Sequence, residues 1–341
     1  MPMFYACQHL ARVLPLLPWK MTRPPSTAYP AAAIATLEPA RLLVITLSNI
    51  GDVVLTTPVL EALAGHFPNT FIDIFADARS AQLLAAAPYV GDIFLYNKRA
   101  GWRERWRLLR ALRRRRYRLV VDLRSSIVAY LLRAEQRLCK AGRRRPGLHA
   151  AEEHFATLAP LLAQRVPPPC RLHVTTADRE LATQLLAPLP GERWLALAPG
   201  ANWPGKKWPR DHYRALLTLA AKSFDGTIIL GSQTDAEDAR SIVSDALPYV
   251  ITAGTTELRT AAAVLARARA FVGNDSGLGH IAAAMGIPTL TPFGPGDPTR
   301  YRPWGPRACV VQAPQDNLAL LTPQSVWSAL EALLDQEHRT S

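Results

Sequence analysis

The sequence predicts an α/β protein with two doubly wound parallel sheets that follow each other along the chain. Short apolar runs rich in β-branched residues alternate with stretches of helical periodicity, the pattern of strand–helix–strand units. The runs lack polar alternation, as expected of strands that are buried on both faces of a parallel sheet. A proline-rich segment, 166–170, interrupts the alternation near the middle, and the same pattern then restarts.

The first unit begins with the apolar run 41–47, which predicts a strand. Loop 48–52 follows, and then a helical pattern to Leu63. Pro58 indicates that the regular helix starts near it, or that the first turn is kinked, because proline lacks the N–H that a helix interior needs. Further strands are predicted at 71–75, 92–96 and 119–123, with a helix at 102–116. We place this N-terminal domain at 41–168.

The second unit, 169–341, repeats the pattern. Helices are predicted at 177–186, after Pro209 through Ala221, and at 323–336, and strands at 194–198, 227–231, 250–252, 270–272 and 289–290. Ligands of open parallel sheets bind outside the carboxyl ends of the strands, so we expect the functional site in a cleft between the two units.

Composition sets the protein class. The chain has 341 residues, is 49% hydrophobic and carries four widely spaced cysteines without a C-x-x-C pair. These features favour a globular protein with reduced thiols in the cytosol, and they argue against a disulfide framework or a zinc site. The first forty residues contain a short apolar stretch broken by prolines. We expect this N-terminal extension, 1–40, to be poorly ordered, to bind weakly to a membrane surface, or to be absent from the mature protein.

The basic charge is concentrated in one segment. Residues 98–145 contain 18 Lys and Arg against 3 Asp and Glu, a net of +15, whereas the whole chain carries +13. Trp102, Trp106, Leu109 and Leu112 fall on one side of the predicted helix there. The segment is either an ordinary helix with a solvated basic surface or a surface that attracts anionic lipid headgroups and a phosphorylated acceptor. Nucleic-acid binding is less favoured, because no recognition motif accompanies the charge.

Three loops that follow predicted strands carry candidate chemistry. In the first, Gly51 and Asp52 stand at the start of a helix, where the dipole stabilises a carboxylate. Asp52 is therefore either a base that accepts a proton from a hydroxyl group, or simply a residue that starts the helix. The second loop, 199–209, is shaped by prolines and glycines and presents Lys206 and Lys207. These lysines would neutralise an anion, or they are ordinary surface charges.

The third loop leads from the predicted strand 270–272 through Asp275, Ser276 and Gly277 into an Ala-rich helix that carries His280. A helix N-terminus after a glycine-bearing turn offers free N–H groups to a phosphate, and His280 could add a donor. The alternative is that Asp275 or Ser276 only caps the helix. The sequence contains no H-E-x-x-H, G-x-S-x-G or Walker motif, which argues against zinc hydrolases, serine esterases and P-loop NTPases.

Together these loops resemble glycosyltransferase family 9, the lipopolysaccharide heptosyltransferases. The resemblance runs from Arg41 to the C-terminus. The matching residues are Ile50-Gly-Asp-Val-Val54 with Thr57-Pro58, Pro199-Gly200 with Lys206-Lys-Trp-Pro209, Asp275-Ser-Gly-Leu-Gly-His280 with Pro288, and Phe293-Gly294.

The resemblance implies a fold and an activity. The fold would be GT-B, two Rossmann-like domains facing across a cleft. The donor, ADP-L-glycero-D-manno-heptose, would bind the C-terminal domain, and the inner core of lipopolysaccharide would bind the N-terminal domain. Transfer would invert the anomeric centre and need neither a metal nor another cofactor. The enzyme would lie in the cytoplasm at the inner face of the inner membrane, touch its anionic surface through segment 98–145, and bind no nucleic acid.

Residue roles follow from the same resemblance. Asp52 matches the family's base, Lys206 the lysine at the donor phosphates, and Asp235 an acidic residue on the donor ribose in some members. The donor-binding set is Asn202, Lys206, Lys207, Asp235, Asp275, Ser276, Gly277 and His280. Arg79 and Arg124 are expected to bind the acceptor.

The chain also departs from the family pattern. Ser48-Asn49 precedes the Gly-Asp pair where small or basic residues are frequent, and Ala201-Asn202 stands where some members carry hydroxyl residues. These departures leave several alternatives open: a family-9 enzyme that uses another nucleotide sugar, an epimerase or hydrolase of nucleotide sugars on the same scaffold, and a non-catalytic nucleotide-sugar binding protein.

Overall fold

The computed structural model describes residues 41–140 and 146–340, with side chains to Gln336. The N-terminal extension and the arginines at 143–145 therefore lie outside the described residues. The N-terminal half contains a parallel sheet with the strand order β3-β2-β1-β4-β5. Its strands are β1 (Leu42–Ile45), β2 (Ile72–Asp77), β3 (Val90–Tyr96), β4 (Tyr117–Asp122) and β5 (Ala134–Cys139).

Helices cover both faces of this sheet, as the doubly wound prediction requires. They are α1 (Ile50–Val54), α2 (Thr57–His66), α3 (Ala78–Ala81), α4 (Trp102–Arg113), α5 (Val128–Leu131) and α6 (Ala150–Phe155). Alternate residues of β1 point into different cores: Leu42 and Val44 pack with α2, whereas Leu43 and Ile45 pack with α4 and α5. Full burial of β1 on both faces explains its unbroken apolar sequence.

The predicted break at Pro58 is present as two separate helices. The chain leaves α1 at Val54 and starts α2 at Thr57, with Pro58 in the first turn, where a missing N–H costs nothing. Thr56 and Thr57 bridge the gap by donating hydroxyl hydrogen bonds to the carbonyl oxygens of Val53 and Val54. The first candidate loop therefore contains a single helical turn, and hydrogen bonds fix the short connection from this turn to α2.

The C-terminal half contains a second parallel sheet with the order β11-β10-β9-β6-β7-β8. Its strands are β6 (Trp194–Ala198), β7 (Gly226–Ile229), β8 (Tyr249–Ile251), β9 (Ala270–Gly273), β10 (Thr289–Phe293) and β11 (Ala308–Gln312). Its helices are α7 (Thr176–Leu186), α8 (Arg210–Ala220), α9 (Ala236–Ser241), α10 (Leu258–Leu265), α11 (Gly277–Ala284), α12 (Pro298–Tyr301) and α13 (Pro323–Thr340). Two sheets of this kind confirm the predicted fold class.

The proline-rich segment predicted as a linker contains neither helix nor strand. Val166 is exposed, but Cys170 and Leu172 are buried in a core that also includes residues of α1, α6 and α11. The backbone N–H of Leu172 donates to the carbonyl oxygen of Ala284, and that of Arg171 donates to the Thr57 hydroxyl. This connection is therefore packed against both halves along its second part.

A second contact joins the halves next to α12. Arg300 pairs with the buried carboxylate of Glu153 at 2.6 Å, and Lys140 contacts the same carboxylate at 3.2 Å. The His149 ring lies 4.6 Å from that of Trp304 and hydrogen-bonds the carbonyl oxygen of Arg302. Both contacts lie beside the cleft, so they hold its two walls at a defined separation.

No helix within residues 41–140 and 146–340 is long and apolar enough to span a membrane. Cys139, Cys170 and Cys309 form no disulfide among the described residues.

Candidate active site

A cavity of about 830 Å³ lies between the two halves. Every segment that lines it follows the carboxyl end of a strand, from the turn after β1 to Tyr301 beyond β10. This is the position expected for the ligand site of two facing parallel sheets. Nine of the predicted site residues line the cavity: Asp52, Arg79, Asn202, Lys206, Asp235, Asp275, Ser276, Gly277 and His280.

The halves come closest where α1 meets α11. A Cβ atom on Gly51 would lie 2.7 Å from Cδ2 of His280, and one on Gly277 would lie 2.7 Å from Cγ2 of Ile50. Larger residues would force the helices apart, because real Cβ atoms do not approach other atoms so closely. The two glycines thus bring Asp52 of one half beside the turn at Ser276 of the other.

Asp52 lies in the first turn of α1, half-buried, with its carboxylate at the cavity wall. The Asn49 amide donates to its Oδ2 at 2.9 Å. This bond orients the carboxylate and leaves Oδ1 without a hydrogen bond from another described residue. A carboxylate held in this way can accept a proton from a hydroxyl group bound in the cavity.

On the opposite wall, Lys206 is held by Asp275. The Lys206 ammonium lies 2.5 Å from the Asp275 carboxylate, and the lysine backbone is fixed in the short helical turn Pro204–Lys206. A third of the lysine side chain stays accessible, whereas that of Asp275 is 11% exposed. Asp275 therefore positions a cation that faces the cavity.

Ser276 precedes α11 as its N-cap residue, but neither it nor Asp275 caps the helix through its side chain. This geometry argues against the alternative that the two residues only start the helix. Ser276, Gly277 and Leu278 line the cavity, so the N-terminus of α11 lies at its wall, and a helix N-terminus of this kind stabilises an anion.

His280 lies one turn into α11 and is 7% exposed. Burial lowers the pKa of His280 to about 4, and the nearby His149 and Lys206 lower it further in the same direction. The ring is therefore neutral at pH 7 and can offer one N–H rather than a positive charge. No described residue bonds its Nδ1 atom.

A residue outside the predicted set, Asn274, connects the two candidate loops of the C-terminal half. It is fully buried. Its side-chain oxygen accepts from the backbone N–H of Trp208 and the hydroxyl of Tyr213, each at 3.0 Å, and its amide donates to the carbonyl oxygen of Pro199 at 2.6 Å. Asn274 thus ties the loop that carries Lys206 to the turn that carries Asp275. Its place directly after a buried strand and before Asp275 was the available sequence signal.

The far end of the cavity is lined by residues that the sequence analysis did not single out. Leu230, Leu258 and Ala261 form an apolar part of the wall, and Thr256 and Glu257 a polar part. Asp235 borders this end. Its Oδ2 accepts from the backbone and the hydroxyl of Ser232, and its carboxylate packs directly against Gly200. The wall has the mixed apolar and polar character of a site for a flat, partly polar group.

Two predicted residues lie elsewhere. Lys207 forms an ion pair with Asp238 at 2.6 Å, a carboxylate that it shares with Arg210, and does not line the cavity. Arg124 lies over the ring of Tyr96, 5.1 Å from its centre, and is also outside the lining. The structure does not bring these two residues to the cavity: the first lysine of the pair lines it, whereas the second forms an ion pair with α9. Arg79 does line the cavity, with its side chain largely exposed and 3.3 Å from Asp77.

Comparison with known proteins gives a consistent result. The model of the family described as "Glycosyltransferase family 9 (heptosyltransferase)" matches residues 144–326. Lipopolysaccharide heptosyltransferase 2 of Salmonella typhimurium is 28% identical, over 87% of this chain and 99% of that protein. Lipopolysaccharide heptosyltransferase 1 of Pseudomonas aeruginosa is 29% identical, over 76% of this chain and 79% of that protein.

Solved structures agree in fold. The structure of Escherichia coli ADP-heptose lipopolysaccharide heptosyltransferase II superposes with a TM-score of 0.74 and 25% identity, covering 87% of this chain and 99% of that one. The glycosyl transferase family 9 structure from Veillonella parvula superposes with a TM-score of 0.78 at 21% identity, covering 88% and 98%. This chain belongs to glycosyltransferase family 9, the heptosyltransferase family, and is a glycosyltransferase of the GT-B fold.

Proposed function

We propose that the protein transfers a heptose from ADP-L-glycero-D-manno-heptose to the inner core of lipopolysaccharide, with inversion and without a metal ion. The observation that carries the proposal is one cavity with a carboxylate, Asp52, on one wall and an anchored cation, Lys206, at a helix N-terminus on the other. The names of the related heptosyltransferases supply the sugar and the acceptor.

Asp52 is the proposed base. The acceptor hydroxyl attacks the anomeric carbon from the face opposite the diphosphate, its proton passes to Asp52, and the bond from the anomeric carbon to the diphosphate oxygen breaks. The bond from Asn49 holds the carboxylate in place during this step. Positioned proton transfer of this kind contributes a factor of about 10²–10⁴ to a rate.

The donor diphosphate is proposed to lie between Lys206 and the N-terminus of α11. The charge that develops on the leaving diphosphate meets the lysine ammonium, the N–H groups after Ser276 and one N–H of the neutral His280. These groups are fixed before the donor arrives, so little reorganisation is needed in the transition state. Asn202 lines the same cavity.

We assign the nucleoside to the far end of the cavity. The apolar surface of Leu258 and Ala261 suits the face of a base, and the polar residues around them suit its edge and the ribose hydroxyls. Asp235 is proposed to contact the ribose through its Oδ1 atom, because Ser232 already uses Oδ2.

The acceptor is proposed to enter from the side of the N-terminal half, past Arg79 and Gln82. Arg79 is the predicted acceptor residue that lines the cavity, and its exposed guanidinium can pair with an acidic group of the inner core. Since this acceptor is part of a lipid, we place the enzyme in the cytoplasm, peripherally at the inner face of the inner membrane.

The first experiment is donor binding, measured by thermal shift and isothermal titration with ADP, ADP-heptose, UDP-sugars and GDP-sugars. Selective stabilisation by ADP-heptose or ADP, lost in Lys206→Ala and retained in Lys207→Ala, supports the proposal. Preference for a UDP- or GDP-sugar would keep the fold and replace the donor, which is the second candidate function. A response to no nucleotide at all would contradict the donor site.

A further inference from the structure

The N-terminal half carries an exposed face in which tryptophan and arginine occur together. Trp102 and Trp106 of α4 are 69% and 56% exposed. Their spacing predicts that they share one side of the helix with Leu109 and Leu112, but the structure separates the two pairs. Leu112 is fully buried and Leu109 packs against the same core, while the tryptophans point to solvent. An apolar core contact therefore does not explain Trp102 and Trp106.

Arginines adjoin the tryptophans on the exposed side of α4. Trp106 borders a groove of about 290 Å³ together with Arg110, Arg113, Arg114 and Arg133. A second groove of about 370 Å³, which includes Trp102 and Arg107, lies next to it. We call Trp102, Trp106, Arg107, Arg110, Arg114 and Arg133 the docking face.

Within the part of the chain that the structure describes, these arginines have no acidic partners, unlike several other arginines. Arg115, Arg193 and Arg259 each contact a carboxylate at 2.6–2.7 Å. Among the described residues, no Asp or Glu forms an ion pair with any arginine of the docking face. Like charges three and four residues apart on one helix repel each other. An anion bound from outside would relieve this repulsion.

One end of the docking face, at Trp102, lies on the side of the sheet that faces the cleft. The strand β3 ends at Tyr96, at the sheet edge that faces the cavity, and α4 starts six residues later with Trp102. Arg124, at the end of β4, lies over the Tyr96 ring, which joins the two loops at this edge. The helix α5 covers the same face of the sheet, and Ile127, directly before it, and Tyr130 within it are exposed. Arg114 and Arg133 precede the amino ends of β4 and β5, on the opposite side of the sheet. A flat surface seated on α4 would thus run from the cavity side of the sheet at Trp102 to the opposite side at Arg114 and Arg133.

We propose that the docking face binds the surface of a bilayer that contains anionic phospholipids, with Trp102 and Trp106 entering the headgroup region and the arginines contacting phosphates. Tryptophan prefers the bilayer interface, and amphipathic helices with Trp and Arg lie in its plane. The inference rests on the proposed lipid-linked acceptor, and it adds the surface and the orientation. Bound in this way, the protein holds the cleft side of the sheet, at Trp102, near the membrane surface, where that acceptor resides.

The test is flotation of the full chain with vesicles of phosphatidylcholine alone and vesicles with about one third phosphatidylglycerol. The arginine variant is Arg107→Gln/Arg110→Gln/Arg114→Gln. Its matched control, Arg179→Gln/Lys222→Gln/Arg240→Gln, removes three exposed cations from the C-terminal half. At about 1 kcal/mol for each basic residue at an anionic surface, the arginine variant should bind the anionic vesicles about a hundredfold more weakly. The control should bind as the wild type does.

Insertion is tested with Trp102→Ser/Trp106→Ser. Vesicles with brominated acyl chains should quench part of the tryptophan fluorescence of the wild type, and this quenching should be lost in the variant. Equal losses in the arginine variant and its control would overturn the proposal, as would quenching that persists without Trp102 and Trp106. Tighter binding to duplex DNA than to anionic vesicles at the same salt concentration would assign the face to nucleic acid instead.

Failure of the proposed function would be seen separately. ADP-induced stabilisation and transfer to a delipidated, soluble acceptor should be unchanged in the arginine and tryptophan variants. If the wild type binds anionic vesicles through these residues but transfers no heptose, the function is wrong and the docking face stands. If it transfers heptose but does not bind anionic vesicles, the proposed function stands and the docking face is wrong.

Discussion

The two walls of the cavity are built differently. On the wall of the C-terminal half, the candidate residues are bonded to each other: Lys206 to Asp275, Asp235 to Ser232, and the loops to Asn274. On the wall of the N-terminal half, Asp52 has one hydrogen-bond partner among the described residues, Asn49, and Arg79 is largely exposed. We call the wall of the C-terminal half the rigid wall, and it suits a donor of constant shape. The wall of the N-terminal half, the open wall, suits a large and flexible acceptor. Preorganisation thus concentrates where charge develops in the proposed reaction.

The largest expected effect comes from the open wall. Asp52→Asn should lower the rate of heptose transfer about a thousandfold, because the amide cannot accept the proton, while ADP binds as before. The measurement is transfer with saturating donor, together with titration of ADP. Asn49→Ala is the companion variant, and a smaller loss is expected because the carboxylate stays but is less well oriented. Near-normal turnover of Asp52→Asn would remove this residue from the mechanism.

The next effect tests how far the rigid wall depends on Asn274. Asn274→Ala leaves the Trp208 N–H and the Pro199 carbonyl without their buried partner and removes one of two acceptors of the Tyr213 hydroxyl, which should lower the free energy of unfolding by about 3 kcal/mol. ADP affinity should fall as well. Urea unfolding measures the free energy of unfolding, and ADP titration measures the affinity. The control is Asn202→Ala in the same loop, where the side chain is exposed and stability should not change. Equal stability of both variants would contradict the role of Asn274.

Acid should destabilise the rigid wall through His280. Its pKa is about 4 in the folded protein and 6.5 as a free side chain. Between these values the unfolded chain binds the proton more readily, so stability is lost as the pH falls from about 6.5 toward 4. At pH 5 the loss for this one histidine is about 2 kcal/mol relative to pH 7.

Urea unfolding at a series of pH values tests this prediction. Histidines 149 and 154 also have pKa values lowered by burial, to about 4 and about 3, so the wild type should show a steeper fall than one group would give. His280→Gln should show a shallower dependence on pH than the wild type. Identical slopes would mean that His280 is not protonated preferentially on unfolding.

The smallest effect concerns the point where the walls meet. Gly51→Ala places a methyl group against the His280 ring, so α1 should shift away from α11 and carry Asp52 with it. We expect about a tenfold loss of transfer rate with little change in ADP affinity, since a small displacement of a catalytic group is costly. Steady-state kinetics and ADP titration separate the two quantities.

Gly65→Ala provides the matched control. Gly65 lies in α2, where an added Cβ meets nothing within 4 Å, so the substitution should leave transfer unchanged and slightly favour the helix. Equal activities of Gly51→Ala and Gly65→Ala would show that the approach of the two walls is not tight enough to matter.

Most of the fold could be predicted from the sequence, because buried parallel strands leave an unmistakable apolar run. The strands that escaped prediction, β5 and β11, are both edge strands. Each is only partly buried, so its sequence mixes polar and apolar residues and does not resemble the central strands. The extent of α1 was also beyond the sequence signal, since a single helical turn has no periodicity.

The candidate site, like the fold, could be predicted from the sequence only in part. The sequence by itself determined the three loops, because glycine, proline and charged residues directly after a buried strand are visible as a local pattern. Only the tertiary structure decided which cation faces the cavity. Lys206 forms an ion pair with Asp275, 69 residues away, whereas its neighbour Lys207 forms one with Asp238 of α9, 31 residues away. The partner of a charged side chain depends on how distant segments pack, and neighbouring residues on a turn point in different directions.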